Sequence, residues 1–307
     1  MAERKGGTSS AALGTADTRK RVVAVGMFDG MHIGHQAILR ETVREAEAAG
    51  AAAAILTFSG SMKPAGAGGR IFGEKETKCY AAEYGVGEVL VEEFSSVRRL
   101  DCRSFVRTVL IGKLGAESVV VGEDFRFGYR RQGDAELLSE LMRESGKSCR
   151  ILPKQTCDGE TVSSTVIREF LRNGQLEKAT RWMGHPMTWI LPVVAGSHIG
   201  RTIGYPTVNQ VFPDGRLLPA FGVYAVEADA EGVTREGICN IGIKPTVGGV
   251  APLAETHLLG FSGDLYGKDV QIRLLRYVRP ERKFENTDAL KAQIAEDIRI
   301  AFGEREQ

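Results

Sequence analysis

"VGMFDGMHIGHQ", Val25 to Gln36, sets two histidines three positions apart around one glycine, just behind an Asp29-Gly30 turn. The run leading into it, "RVVAVGMF", is short, apolar and ends at the turn, which predicts a buried strand. The run leaving it, "HIGHQAILRETVREAEAAG", spaces Ile38, Leu39, Val43 and Ala46 helically and stops at Gly50. The histidines therefore fall at a strand-to-helix junction. In an open parallel sheet, ligands bind beyond the strand C-termini. The following helix offers free N–H groups and the positive end of its dipole to an anion. Gly34 removes a side chain where a ligand can approach the backbone, and His32 and His35 share one face of the first turn. Two readings fit these residues: an anion site, or a helix start with two partly exposed histidines and no task. A zinc site lacks a third ligand.

Outward from this junction the chain alternates strands and helices. "AAAAILTF", "GEVLVEEF" and "ESVVVGEDF" read as further strands with a helix between each pair. Continuous apolar strands alternating with helices imply a parallel sheet wound by α/β units. "STVIREFLRNGQLEKATRWMG" puts Ile167, Phe170 and Leu171 on one face, continued by Leu176 and Ala179 after Asn173-Gly174, and closes the first domain. Past His185-Pro186 the pattern changes. "TWILPVVAG", "FGVYAVEAD", "REGICNIGI", "AETHLLGF" and "KDVQIRLLRYV" are short strand-like runs between Gly, Pro and Asp turns, which suggests a small antiparallel barrel. The helix "TDALKAQIAEDIRIAF" carries Leu290, Ile294, Ile298 and Phe302 along one stripe and closes or covers it. The expected divisions are a disordered tail over 1–20, a first domain over 21–184 and a second over 185–303.

Composition narrows the function classes. In 307 residues, 40 basic and 39 acidic side chains leave a net charge of +1, which gives no polycationic footprint for nucleic acid. The five cysteines are odd in number and never spaced C-x-x-C, so free thiols in a reducing, cytoplasmic compartment are expected. No apolar run approaches the length of a membrane span. Partners are expected to be small molecules met by a few placed groups. Oligomeric state is not legible.

Three further stretches carry candidate chemistry. "SSTVIREFL" offers Ser163, Ser164 and Thr165 as helix caps with Arg168 in the first turn, a combination suited to an anion. "VVVGEDFRFG" ends a strand with Asp124, Phe125 and Phe127; the two rings are either core or the wall of a flat aromatic ligand. "GSHIGRTIGYPTVN" spaces Gly196, Gly200 and Gly204 four apart, matching neither phosphate-loop fingerprint, and by spacing alone is a turn. Its Thr207 hydroxyl suits Mg²⁺ beside phosphates, with the Asn209 amide to orient it. In "AETHLLGF", Glu255 and His257 share a strand face with Thr256 opposite; a carboxylate near such a loop is a candidate base.

"FDGMHIGH" resembles the H-x-G-H signature of the nucleotidylyltransferase superfamily, whose members transfer a nucleotide from a triphosphate and release pyrophosphate. More widely, residues 21–302 resemble the prokaryotic bifunctional riboflavin kinase/FAD synthetase family. "FDGMHIGHQ", "VVVGEDFRFG" and "SSTVIREFLRNG" resemble its adenylyltransferase module. "GRTIGYPTVN", "FGVYAV", "NIGIKPTV", "ETHLLGFSGDLYGKDV" and "RPERKF" resemble its kinase module. The resemblance implies a doubly wound, nucleotidylyltransferase-type Rossmann-like domain followed by a six-stranded antiparallel barrel with a terminal helix. It implies ATP and Mg²⁺, and riboflavin, FMN and FAD as substrates and products. Glu255 matches the catalytic glutamate of the kinase, while His32, His35 and Arg168 match the adenylyl-transfer groups. By the same resemblance Gly26, Phe28, Asp29, Gly30, Gly34, Asp124, Phe125, Phe127, Ser163, Ser164 and Thr165 line the first site. Gly196, Gly200, Arg201, Gly204, Pro206, Thr207 and Asn209 line the second, with Thr207 and Asn209 toward the metal. One stretch departs: where the family carries Phe-x-Pro-His-Pro, this chain reads "TFSGSMKP" from Thr57 to Pro64. That departure leaves room for a kinase with a weakened adenylyltransferase. A flavin- or nucleotide-binding regulator without turnover is the alternative of another class.

Overall fold

The computed structural model describes residues 19–60, 68–196, 199–246 and 249–303. Most of the expected tail, residues 61–64 of "SGSMKP", and Ser197 and His198 lie outside the described residues. The described residues cluster into two compact units, 19–60 with 77–163, and 68–76 with 164–303.

The first unit contains β1 (Arg21–Val25), α1 (Ile33–Ala49), β2 (Ala52–Ser59), most of α2 (Glu74–Glu83), β3 (Glu88–Glu93) and the short α3 (Phe94–Val97). There follow α4 (Cys102–Ser104), which runs into a π-helical stretch Phe105–Lys113, then β4 (Ala116–Gly122), α5 (Ala135–Glu144) and β5 (Ser148–Leu152). A two-residue hairpin, β6 (Thr156–Cys157) and β7 (Glu160–Thr161), ends it. The sheet is parallel throughout, in the order β3-β2-β1-β4-β5. All five residues of β1 are buried, as expected of a strand covered on both faces. Even Arg21 is only 1% exposed, its charge matched by Glu88 at 3.0 Å and by the Leu114 carbonyl at 2.9 Å. The strand order reverses between β1 and β4, so the C-terminal ends of those two strands form the topological switch point. The histidine turn follows β1, and Asp124 follows β4. Both sequence-selected stretches thus leave the sheet at the edge where open parallel sheets bind ligands.

The second unit opens with α6 (Ser164–Arg172) and α7 (Leu176–Met183), broken apart at Gly174, whose φ is 70°. Packing groups these two helices with the barrel, whereas the sequence reading sets them at the close of the first functional domain. There follow β8 (Thr188–Pro192), the single turn α8 (Ile199–Thr202), β9 (Val208–Val211), β10 (Gly222–Ala230), β11 (Val233–Thr246), β12 (Gly249–Leu258), β13 (Asp269–Arg279) and α9 (Thr287–Phe302). The six strands are antiparallel in the order β8-β13-β10-β11-β12-β9. The chain just past β8 returns to β9, where the Val194 N–H donates to the Asn209 carbonyl at 2.8 Å and closes the sheet on itself. Gln210 secures that seam from inside. Fully buried, it accepts from Trp189 Nε1 at 2.8 Å and donates to the carbonyls of Leu191 at 2.6 Å and Val270 at 2.8 Å.

Residues 68–76 belong to this second unit although the sequence places them between β2 and β3. Arg70 exchanges backbone hydrogen bonds with Gly215 and Leu217 at 2.7 and 2.8 Å. The Glu76 carboxylate, 1% exposed, accepts from the Ile190 N–H at 2.7 Å, the Gly73 N–H at 2.8 Å and both Arg216 Nη atoms at 3.0 and 3.1 Å. A buried carboxylate is tolerated because each lone-pair direction is taken. Among the described residues no helix is long and apolar enough to cross a membrane, and all five cysteines are free thiols.

Candidate functional site

The first unit's site grows from the turn after β1. His32 is the N-cap of α1: its Nδ1 accepts from the His35 N–H at 3.3 Å, and its ring is 8% exposed. A neutral His32 therefore carries its proton on Nε2, as a donor. The His35 ring stacks on it, with centroids 3.6 Å apart and planes 17° from parallel, and tilts against Phe28 at 5.2 Å. Burial, with the neighbouring His32 adding to it, holds His35 well below the usual imidazole pKa. Its Nδ1 is buried with no hydrogen-bond partner among the described residues. The pair is thus built to carry at most one positive charge.

The turn that delivers these rings is strained. Phe28 and Met31, both buried, take φ of 47° and 37°, a region that L side chains seldom occupy and that costs about 1–3 kcal/mol per residue. The Phe28 ring fits because Gly26 has no Cβ; an ideal one would lie 3.3 Å from it. Gln36 steadies the turn by donating to the Met31 carbonyl at 2.9 Å, and Thr57 of β2 donates to that of Met27 at 3.2 Å. Asp29 is buried at 3% exposure, and Gly30 supplies the φ of 77° that the tight turn needs.

After β4, Asp124 is mostly exposed and faces Lys154 at 4.0 Å. Phe125 stacks on Phe127 at 5.7 Å and 15°. Phe127 is itself a core side chain, 6% exposed against Phe105, and Phe125 packs at the edge of the same cluster. Ser163 is the last residue of the first unit and is half-buried. Ser164, Thr165 and Arg168 belong to the second, where Arg168 Nε donates to the Gly69 carbonyl at 3.0 Å.

The second site is a polar row on the outer face of the barrel. Strand register sets Asn209 of β9 opposite Glu255 of β12, and Glu255 opposite Asn240 of β11, so the three side chains share one face. The other face is barrel core, where Thr256 and Cys239 are fully buried. Burial pushes the Cys239 thiol up to about 12, and the Glu255 carboxylate adds to the effect. Asn209 is 5% exposed; its Nδ2 donates to the Thr207 carbonyl at 3.3 Å, and its Oδ1 is buried without a partner among the described residues. The glycine loop crowds this amide. An ideal Cβ at Gly196 would stand 2.5 Å from Asn209 Nδ2, and one at Gly200 would stand 2.3 Å from the Tyr205 carbonyl. Gly204 adopts φ 86°, and the Pro206 carbonyl contacts His257 Nδ1 at 2.8 Å. Arg201 lies exposed on the α8 turn. Thr207, Asn209 and Glu255 are therefore neighbours along the sheet. At the far end of the row, Asn240 Nδ2 donates to Glu281 Oε1 at 3.2 Å. This pair escaped sequence reasoning; its one signal is a lone asparagine between apolar residues in "CNIGI".

The two sites define a class, an α/β nucleotide-transfer unit joined in one chain to a small antiparallel kinase-like barrel. Residues 14–166 match the FAD synthetase family and residues 183–302 the riboflavin kinase family. The chain is 37% identical over 284 residues to the bifunctional riboflavin kinase/FMN adenylyltransferase of Escherichia coli strain K12, covering 90% of each protein. It is 34% identical to that of Bacillus subtilis strain 168, covering 92% of each. A crystal structure from Streptococcus pneumoniae described as a macrolide-efflux protein superposes with a TM-score of 0.81 at 28% identity, covering 94% of this chain and 96% of that one. The chain belongs to the bifunctional riboflavin kinase/FMN adenylyltransferase family.

Proposed function

We propose that the chain makes FMN from riboflavin and FAD from FMN, each with ATP, using residues 185–303 for the first step and 21–184 for the second. In the kinase step the 5′-hydroxyl oxygen of riboflavin bonds to the γ-phosphorus of ATP, the β–γ bridge breaks, and ADP leaves. An alcohol is a poor nucleophile, and Glu255 takes its proton. Thr207 and Asn209 supply hard oxygen donors, and the buried, unpartnered Asn209 Oδ1 suits Mg²⁺, which is held by few protein ligands together with phosphates. When bound there, the ion would neutralise phosphate charge. Gly196, Gly200, Arg201, Gly204 and Pro206 shape the loop over the phosphates.

In the second step an FMN phosphate oxygen bonds to the α-phosphorus of another ATP and pyrophosphate leaves. That nucleophile is already an anion, so no base is needed. His32 and His35 offer ring N–H donors, and with the N–H groups of the α1 N-terminus they hold the phosphates. Gly30 and Gly34 shape the turn beside them, while Phe28, Asp124 and Phe125 bound the site. The reducing cytoplasm is the setting, in keeping with the free thiols.

The observation that carries the reading is the stacked histidine pair beyond the switch-point strand, because the "SGSMKP" departure bears on that half alone. The test is chromatography of products from purified protein with riboflavin, ATP and Mg²⁺. FMN and FAD together are expected; FMN alone would restore the kinase-only reading, and neither product would overturn both steps.

A further inference from the structure

The row Asn209–Glu255–Asn240 has two differently framed ends. The glycine loop crowds the Asn209 end, and the connection after β13 frames the Asn240 end through Glu281. That connection is anchored. Arg279, two residues before Glu281, forms a bidentate pair with Asp297 of α9 at 2.8 and 2.8 Å, and Gln293 donates to the same carboxylate at 2.7 Å. Asp297 is 1% exposed. Gly242 makes room for the Glu281 carboxylate, since an ideal Cβ there would lie 2.3 Å from Oε1.

A carboxylate only accepts hydrogen bonds, so Glu281 fixes which way the Asn240 amide faces. Asn240 is half-buried; its Nδ2 turns to Glu281, and its Oδ1 takes no hydrogen bond among the described residues. An oriented amide oxygen one strand spacing from the candidate base, about 4.8 Å, is placed for a hydroxyl next to the one that reacts. The nucleotide phosphates take the Asn209 end, so the acceptor reaches Glu255 from the Asn240 end. The acceptor's polar atoms nearest its reacting hydroxyl are the remaining hydroxyls of its polyol chain.

We propose that Asn240 determines acceptor specificity in the kinase step by hydrogen-bonding the hydroxyl adjacent to the one phosphorylated, with Glu281 as the positioning residue behind it. The inference rests on the kinase reading above. The test compares riboflavin with a flavin whose side chain lacks that adjacent hydroxyl, in wild type, Asn240→Ala and Glu281→Gln. In wild type the deoxy flavin should lose about tenfold to a hundredfold in kcat/KM, the scale of one lost hydrogen bond that leaves a partner unmet. Asn240→Ala should show a similar loss with riboflavin and no further loss with the deoxy flavin. Glu281→Gln can donate as well as accept, which frees the Asn240 amide to turn over, so it should show a smaller loss with riboflavin alone. FAD formation from supplied FMN should be unchanged in both variants. Parallel losses on the two flavins, or no loss on either, would overturn the proposal while leaving the kinase reading intact. Absence of FMN from wild type would overturn the kinase reading first and this inference with it. A melting curve accompanies each variant, and if Asn240→Ala unfolds, Glu281→Gln decides, because it changes no packing volume.

Discussion

At Gly34, a methyl group would lie 3.2 Å from both Cε1 and Nδ1 of His32, the ring that caps α1. Gly34→Ala should therefore push the ring off the His35 N–H without disturbing the sheet. FAD formation from FMN is expected to fall about tenfold, in keeping with the cost of misplacing a group by a fraction of an ångström, while riboflavin phosphorylation holds. Separate assays of the two products check this, and an equal fall in both would refute two independent sites. His35 makes a second prediction, through pH. Its folded pKa is depressed, so above the ordinary value of 6.5 the ring is neutral in both states and contributes nothing to pH dependence. As pH falls below 6.5, the unfolded chain takes up a proton that the folded one refuses, and stability is lost until the folded value is reached. Denaturant midpoints measured downward from neutral pH should fall less steeply in His35→Gln than in wild type. Parallel slopes would mean that His35 is not the group concerned.

Among the elements, the closing seam of the barrel depends on one side chain. Gln210→Leu would leave the Trp189 N–H and the carbonyls of Leu191 and Val270 without that partner inside an apolar core. At about 1–3 kcal/mol for a buried group left unmet, a loss of about 3 kcal/mol or more is expected from chemical denaturation; a change below about 1 kcal/mol would show that the seam is held elsewhere. How much of the architecture the sequence discloses follows from where each element gets its instructions. Helix α1 is legible at both ends because its stop signals are local: a histidine cap, and Gly50 at φ 58°. Strand β5 is not, because "SCRIL" is a half-exposed sheet edge with no continuous apolar run. That Glu255 and Thr256 face opposite ways is legible from strand alternation. That Glu255 lies between Asn209 and Asn240 is not, since strand register is a tertiary choice. The break between α6 and α7 announces itself in Asn173-Gly174. Their packing with the barrel does not, and neither does the distant attachment of residues 68–76.

For the molecule as a whole, two sites in one chain predict that one can be silenced without the other. Glu255→Gln is nearly isosteric and should lower FMN formation by about 10²–10⁴-fold, the usual contribution of a placed general base. Given FMN in place of riboflavin, the same protein should make FAD at close to the normal rate. Excess Mg²⁺ should not rescue the first step, because the missing function is proton removal and not nucleotide binding. Normal phosphorylation by this variant would remove Glu255 from the mechanism. The stretch from Gly68 to Glu76 sets a condition of another kind, on how the chain is made. Glu76 meets Arg216 only after 140 further residues have been added, about 7–28 s later at ordinary ribosomal rates. Until then the segment has no completed unit to join, and its carboxylate waits in water. No single cut parts the two units without leaving nine residues of one on the wrong fragment. A gene split anywhere between them would have to restore that stretch by reassociation of the two products.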